Sequence, residues 1–449
     1  MGLLRANRVL IIDDDIADIE GSLLADFETL GVAAELCTSG LAHELIDETR
    51  MPDAVIVRLG HAMGGVADSG SVRRFVERMR KSRAARAVPL IGVGRLAADP
   101  DMPGDGLFDL SLDEPVNAYQ LIGRISAHGR IDAMNRELAR RARVAGEFGC
   151  TIPEIAAPPA RIEDARILYV GDPMSYLAIR SLLPDTADLV GSFTASMAED
   201  YLDYQAFDLV FLNFDPAFSA DILESWRRNP RLAALPVVPV LNEAEEDRAA
   251  DLLRAGASDI LIRPVGTDAI ATRIDPLVRE NRFRHTLLEA YPATHPDAIA
   301  DADTGLYGRA FLERYLEDAL TRTSLQADPM WIVGMRYSAL PCRGNEDSGS
   351  VGAEFAGTIG GMVRALIRCE DMAAALEPGK LVVALRSRNG LEASVVARRL
   401  QAVIGLTPLS GGRDTAPRYA DLDIHFVRAA PDMTAEALFK AAFSDETRF

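Results

Sequence analysis

Cysteine is scarce in this chain of 449 residues: Cys37, Cys150, Cys342 and Cys369 are widely separated, and no two of them form a CxxC pair. That spacing offers neither a zinc knuckle nor a disulfide framework, so buried or idle thiols are expected. Basic residues are also short, 48 Lys and Arg against 67 Asp and Glu, for a formal net charge of -19. Gripping nucleic acid requires concentrated Lys and Arg against the phosphates, so that class of partner is excluded; a small anion can still meet a local arginine cluster. No apolar run reaches the roughly 18 residues that a membrane span needs. The opening MGLLRANRVLIIDDD meets its acids too early to be a secretory signal, and a cytoplasmic chain without a membrane span is expected. The six histidines, at 43, 61, 128, 285, 295 and 425, have no neighbours at ligand spacing, so no metal and no cofactor are expected.

What is present is an alternating pattern. The length suggests about three domains on the usual prior of roughly 100 to 200 residues each. RVLIIDDD, DAVIVRL, VPLIGVG and LFDLSL are short apolar strands separated by amphipathic helical stretches. That alternation predicts a parallel sheet covered by helices on both faces, a doubly wound α/β domain over 1–127. A charged helical run and the breaker-rich CTIPEIAAPPARIED fill 128–164. The pattern then restarts in ARILYVGD, FDLVFLNF, LPVVPVLN and SDILIRPV, an internal repeat of roughly 120 residues that assigns a second such domain to 165–290. Over 291–449 the order changes: DTGLYGRAFLERYLEDAL reads as helix, MWIVGMRYS as strand, EFAGTIGGMVRALIRCED as helix, KLVVALR as strand, SVVARRLQAVIG as helix and ADLDIHFVRAA as strand. An α/β domain with a mixed or antiparallel sheet fits.

The two repeats resemble the receiver domains of response regulators, which are flavodoxin-like folds. In that family an acidic pair after the first strand holds Mg2+, and an aspartate ending the third strand accepts a phosphoryl group. A Thr or Ser and a Lys complete the site. Asp13 and Asp14 match the acidic pair of the first repeat, but Arg58 stands at the acceptor position, Gly94 at the hydroxyl and Glu114 at the lysine. Arginine cannot form an acyl phosphate; it can pair with Asp13 or Asp14 in the cation's place. The second repeat has Gly171 and Asp172 at the acidic pair, Asn213 at the acceptor and Arg263 at the lysine. Asp215, two residues after Asn213, reads as a surface turn residue. Such domains, stripped of phosphoryl chemistry, imply dimerisation or docking.

DTGLYGR (303–309) resembles the opening signature of the GGDEF family of diguanylate cyclases, a nucleotide-cyclase-like α/β fold. Two receivers followed by a GGDEF domain is the arrangement of the PleD- and PopA-type response regulators, the latter being the nearer resemblance. Carried over by position, the family's metal-binding aspartate is Arg336, with Ser338 two residues on. The catalytic hairpin is Glu377, Pro378, Gly379, Lys380 and Leu381, and Gly344 and Ala353 stand at the guanine-reading positions. Cyclising GTP takes two divalent cations, and these residues supply neither the acids for them nor the close backbone approach that glycine gives where proline stands. No cyclase activity is expected.

The family's product-binding RxxD motif is present as Arg368-Cys369-Glu370-Asp371. Arginine matches the N7 and O6 acceptors of guanine, and aspartate accepts from its N1 and N2 donors. By resemblance, Arg399 and Arg322 complete a cyclic di-GMP site, with Arg398 an alternative to Arg399. The bland alternative is a helix-surface ion pair between Arg368 and Asp371. The resemblance thus implies a non-catalytic cyclic di-GMP receptor, homodimeric and at a cell pole. Its partners would be a proteolysis adaptor and a cell-cycle regulator. A residual cyclase, a ligand-free scaffold and a phosphorylation-switched regulator are the alternatives.

Overall fold

RVLII forms β1 (Arg8–Ile12), whose Val9 and Ile11 enter one core while Leu10 and Ile12 enter another, as a strand buried on both faces requires. The computed structural model describes residues 8–13, 21–42, 51–59, 69–82, 88–94, 108–112, 116–153, 155, 164–265, 270–321, 329–340, 352–387, 390–409, 419–431 and 433–444. Helix α1 (Gly21–Thr29) packs Phe27 on the first core and α2 (Ser69–Lys81) packs Phe75 and Val76 on the second. The strands β2 (Ala33–Cys37), β3 (Ala54–Arg58), β4 (Leu90–Val93) and β5 (Leu110–Leu112) complete a parallel sheet ordered β2-β1-β3-β4-β5. Helix α3 (Ala118–Glu147) follows and runs unbroken for 30 residues.

The second repeat uses the same plan. In chain order it contains β6 (Arg166–Gly171), α4 (Pro173–Arg180), β7 (Asp188–Ser192), α5 (Ala195–Tyr204), β8 (Leu209–Asn213) and α6 (Pro216–Arg228). β9 (Val237–Asn242), α7 (Ala249–Ala255), β10 (Leu261–Arg263) and α8 (Asp275–Ala290) follow. Its sheet order, β7-β6-β8-β9-β10, repeats that of the first. An order of 2-1-3-4-5 is the flavodoxin-like doubly wound topology, which places functional residues at the carboxyl ends of the strands.

The remaining elements are α9 (Arg309–Ala319), β11 (Met330–Ala339), α10 (Ala353–Leu366), β12 (Met372–Glu377), β13 (Lys380–Arg386), α11 (Gly390–Leu406), β14 (Ala420–Arg428) and α12 (Ala435–Ala442). Here the sheet is antiparallel throughout, ordered β12-β13-β11-β14. One face carries Phe311 and Leu316 of α9 and Leu438 and Phe439 of α12; the other carries Ile359 and Val363 of α10 and Val396 and Leu400 of α11. The fold class is therefore two doubly wound flavodoxin-like layers followed by an α/β domain of nucleotide-cyclase-like construction.

Contacts divide the chain into two compact units, Met1–Asp132 with Ala156–His285, and Ala133–Ile155 with Thr286–Phe449. The charged run after residue 127 is thus the continuation of α3, and its Val144 and Ala145 enter the core of the second unit beside Phe311 and Met330. Among the described residues no helix is long and apolar enough to cross a membrane.

Candidate functional site

The motif at 368–371 lies in a turn rather than on a helix. EFAGTIGGMVRALIRCED reads as one continuous helix in sequence, but α10 stops at Leu366 and Ile367 turns to extended backbone. The reason is local: the Arg368 backbone N–H donates to Asp371 Oδ2 at 3.1 Å, and the Asp371 N–H donates to the Arg368 carbonyl at 3.1 Å. An aspartate side chain that takes a backbone donor competes with the next helical turn. This removes the helix-surface ion-pair alternative, because Asp371 is 6% exposed and makes its bond to the main chain.

Burial, with Glu370 beside it, raises the Asp371 carboxyl to about 7; the Arg368 N–H and the Arg368 and Arg141 guanidinium groups oppose that rise. The Arg368 side chain is half exposed and reaches Glu392 in the first turn of α11 at 3.3 Å. Burial lowers the Arg368 pKa, but Glu392 and Asp371 outweigh it and the group is held above its ordinary value. Arg399 lies seven residues beyond Glu392 on the same helix, hence on the same face. Burial and the neighbouring Arg368 hold Arg399 below its ordinary value, against the pull of Asp371. Arg368, Asp371 and Arg399 are therefore brought together, with Arg399 exposed and making no ion pair among the described residues. Arg322 lies outside the described residues.

Sequence reasoning missed two members of this surrounding: Glu392, and Arg141 of α3, whose Nη2 donates to the Asp371 carbonyl at 2.9 Å. The only signal for Arg141 was a glutamate four residues earlier in a run of arginines. Burial pushes the Cys369 thiol up to about 12, as expected of an idle cysteine.

At the far end of β12 the hairpin is a two-residue turn at Pro378 and Gly379. Gly379 has φ +77°, a conformation suited to glycine after proline in a type II turn, and its carbonyl accepts from the Tyr337 N–H at 2.9 Å. The strand register sets Arg336 opposite Lys380 on one side and Asp423 on the other. Arg336 bonds Asp423 Oδ2 at 2.8 Å, donates to the Phe443 carbonyl and lies over the Phe443 ring, which Lys380 also faces. Lys380 pairs with Glu377 at 2.8 Å. Partial burial raises Asp423, but Arg336 and His425 outweigh it and hold the carboxyl below its usual range. Ser338 and Ala353 are exposed, and Gly344 lies outside the described residues. Two cations, Arg336 and Lys380, are thus gathered beside the hairpin and the Phe443 ring. Among the described residues no group of three or more His, Cys, Asp or Glu is placed to hold a metal.

The doubly wound layers also hold tethered arginines. Arg58 Nη1 reaches Asp13 Oδ2 at 3.1 Å, with Asp13 5% exposed. A Cβ at Gly94 would meet the Leu59 carbonyl at 2.6 Å, so a hydroxyl-bearing residue cannot enter without moving backbone. Asp14 and Glu114 lie outside the described residues. In the second layer Arg263 donates to Ser175 Oγ at 2.7 Å and to Asn213 Oδ1 at 3.3 Å, while Asn213 Nδ2 donates to Tyr169 Oη at 2.7 Å. Gly171 is required there, since a Cβ would lie 2.2 Å from the Asn213 carbonyl. Asp172 caps α4, and Asp215, expected as a turn residue, caps α6 through the Ala217 N–H.

No family model matches this chain. Over 340 residues it is 24% identical to the response regulator PleD of Caulobacter vibrioides, covering 72% of this chain and 70% of that protein. The GGDEF domain of FimX from Pseudomonas aeruginosa is 19% identical at a TM-score of 0.28, over 33% of this chain and 93% of that structure. A two-component response regulator from Clostridium difficile is 17% identical at a TM-score of 0.23, over 26% of this chain and 96% of its own.

Proposed function

We propose that this chain is a non-catalytic cyclic di-GMP receptor of the response-regulator type, binding the dinucleotide through Arg368, Asp371 and Arg399, with Arg322 as a further ligand. The observation that carries this reading is the turn that holds Arg368 beside a buried Asp371, with Arg399 of α11 near enough to interact electrostatically with both. Guanine requires two donors facing its N7 and O6 and a carboxylate facing N1 and N2, and the turn supplies both. The similarity to PleD supports a place in cyclic di-GMP signalling.

The absence of cyclase activity belongs to the same proposal. Arg336 and Lys380 add positive charge where two divalent cations would otherwise offset the triphosphate, and Asp423 is already paired. Domain bounds of 1–127, 128–164, 165–290 and 291–449 belong to it as well. The two receiver-like domains then serve dimerisation and protein docking in the cytoplasm. By resemblance to PopA-type regulators, the assembled homodimer sits at a cell pole and brings a cell-cycle regulator to a proteolysis adaptor. A ligand moves such an equilibrium only as far as its affinities for the two arrangements differ.

Calorimetry of the full chain with cyclic di-GMP tests the reading. Binding in the micromolar range or tighter is expected, and Arg368→Gly should weaken it by about 5-fold to 150-fold, the value of one bidentate base contact. No heat with the unsubstituted protein sinks the receptor reading, and dinucleotide formed from GTP and Mg2+ sinks the claim that the domain is non-catalytic.

A further inference from the structure

Resting on the cyclic di-GMP reading, we propose that Arg141 of α3 is a positioning residue of the Arg368–Asp371 site, anchoring the Asp371 carbonyl and supplying the buried positive charge beside its carboxylate. Arg141 is 4% exposed. Its Nε donates to Glu137 Oε1 at 2.8 Å, its Nη2 to the Asp371 carbonyl at 2.9 Å, and the rings of Tyr291 and Tyr307 lie 5.1 and 5.7 Å from its guanidinium carbon. Glu137 is buried too, and its other oxygen accepts from the Tyr315 hydroxyl at 2.9 Å and from Arg140 at 3.0 Å. The Tyr291 hydroxyl donates to the Met134 carbonyl at 2.7 Å and so locks one wall of this chamber to α3 itself. The guanidinium is therefore a rigid donor with little freedom to leave.

Packing alone does not account for this arrangement. A buried Glu–Arg pair pays a desolvation cost that well-packed apolar residues of similar volume avoid. What apolar residues could not do is satisfy the Asp371 carbonyl, which lies just ahead of the first ladder pair of β12, Met372 with Ala384. The carbonyl belongs to the residue whose carboxylate turns back to the Arg368 N–H, so one residue is held from both sides. The charged groups acting around that carboxylate are Glu370, Arg368, Arg141 and Arg399. Of the cations, Arg368 is half exposed and Arg399 exposed, whereas Arg141 is sealed from water and least screened. Without it, only the Arg368 N–H and guanidinium and the more distant Arg399 oppose burial and Glu370, so Asp371 stays protonated to a higher pH, and a protonated carboxyl cannot accept both guanine donors.

The test is cyclic di-GMP calorimetry on the full chain from about pH 6 to about pH 9, with thermal melts on the same preparations. Glu137→Gln/Arg141→Met removes both members of the buried pair, so neither is left as an uncompensated charge. It should fold, bind roughly 10-fold to 100-fold more weakly at neutral pH, and need a higher pH to recover its affinity. Arg141→Lys keeps the charge and should return the pH midpoint to that of the parent, a rescue that a purely structural role does not predict. A folded double variant with parental affinity and an unchanged pH profile overturns the inference while leaving the receptor reading standing. If the parent protein gives no heat, both readings fall together.

Discussion

The two ends of β12 carry the same residue types and are built to opposite effect. At its C-terminal end Arg336 is tied off by an aspartate and a backbone carbonyl and covers an aromatic ring, while Lys380 is tied to Glu377. At its N-terminal end Asp371 is buried, Arg368 has a long contact to Glu392, and Arg399 is exposed and makes no ion pair among the described residues. An arginine near an acid is a closed tie at one end and an open surface at the other. What separates them is how many partners each cation already has. Arg58 with Asp13, and Arg263 with Asn213 and Ser175, belong to the closed kind. Arg336, Arg58 and Arg263 are thus all tethered arginines.

The comparison breaks most readily at Asp371. Its folded-state pKa, about 7, lies above the usual carboxylate value of about 3.9, so protons favour the folded state over that window. The stabilisation from its buried neutral form is fully present below about pH 4 and is lost as pH rises to about 7; Asp371→Asn should remove that slope from thermal melts taken across the range. Ligand binding runs the other way, because guanine needs the carboxylate. Affinity should fall by about 10-fold per pH unit below the midpoint, and binding by Asp371→Asn should lose this dependence. Affinity independent of pH between about 5 and 8 would falsify the role given to Asp371.

A smaller effect is expected at the closed end. Arg336→Met leaves Asp423 without its strongest partner beside the buried His425. Both members of the pair are more than a third exposed, so the cost should be modest, about 0.5 to 1 kcal/mol by chemical denaturation. Cyclic di-GMP affinity should not change. A loss of binding in this variant would show that the two ends of the strand are coupled, and the contrast drawn between them would fail.

Much of this was legible in the sequence because the signals are local. Runs such as RVLII and RILYVG announce strands buried on both faces, and Pro378-Gly379 announces its turn. The helix end at Leu366 was not legible, since nothing in IRCED is a strong breaker; the competing bond comes from the Asp371 side chain, which the helical pattern does not register. Nor was the burial of Glu137 and Arg141. A charged run usually marks a solvated face, and only the tyrosines Tyr291, Tyr307 and Tyr315, more than 140 residues away in sequence, turn this one inward.

Glu392 offers the finest test of the contrast. Among the described residues it is the one acid bonded to the Arg368 side chain, and it occupies the guanidinium that a guanine edge would need. A ligand must displace that contact before Arg368 can engage N7 and O6, so the ion pair is subtracted from the binding free energy. The contact is long and Arg368 is half exposed, which places its worth at about 0 to 1 kcal/mol. Glu392→Gln should therefore tighten cyclic di-GMP binding by up to about 5-fold, mainly through faster association as the local negative charge falls. If the substitution weakens binding instead, Glu392 contacts the ligand directly, and the open end of β12 contains one more recognition group than Arg368, Asp371 and Arg399.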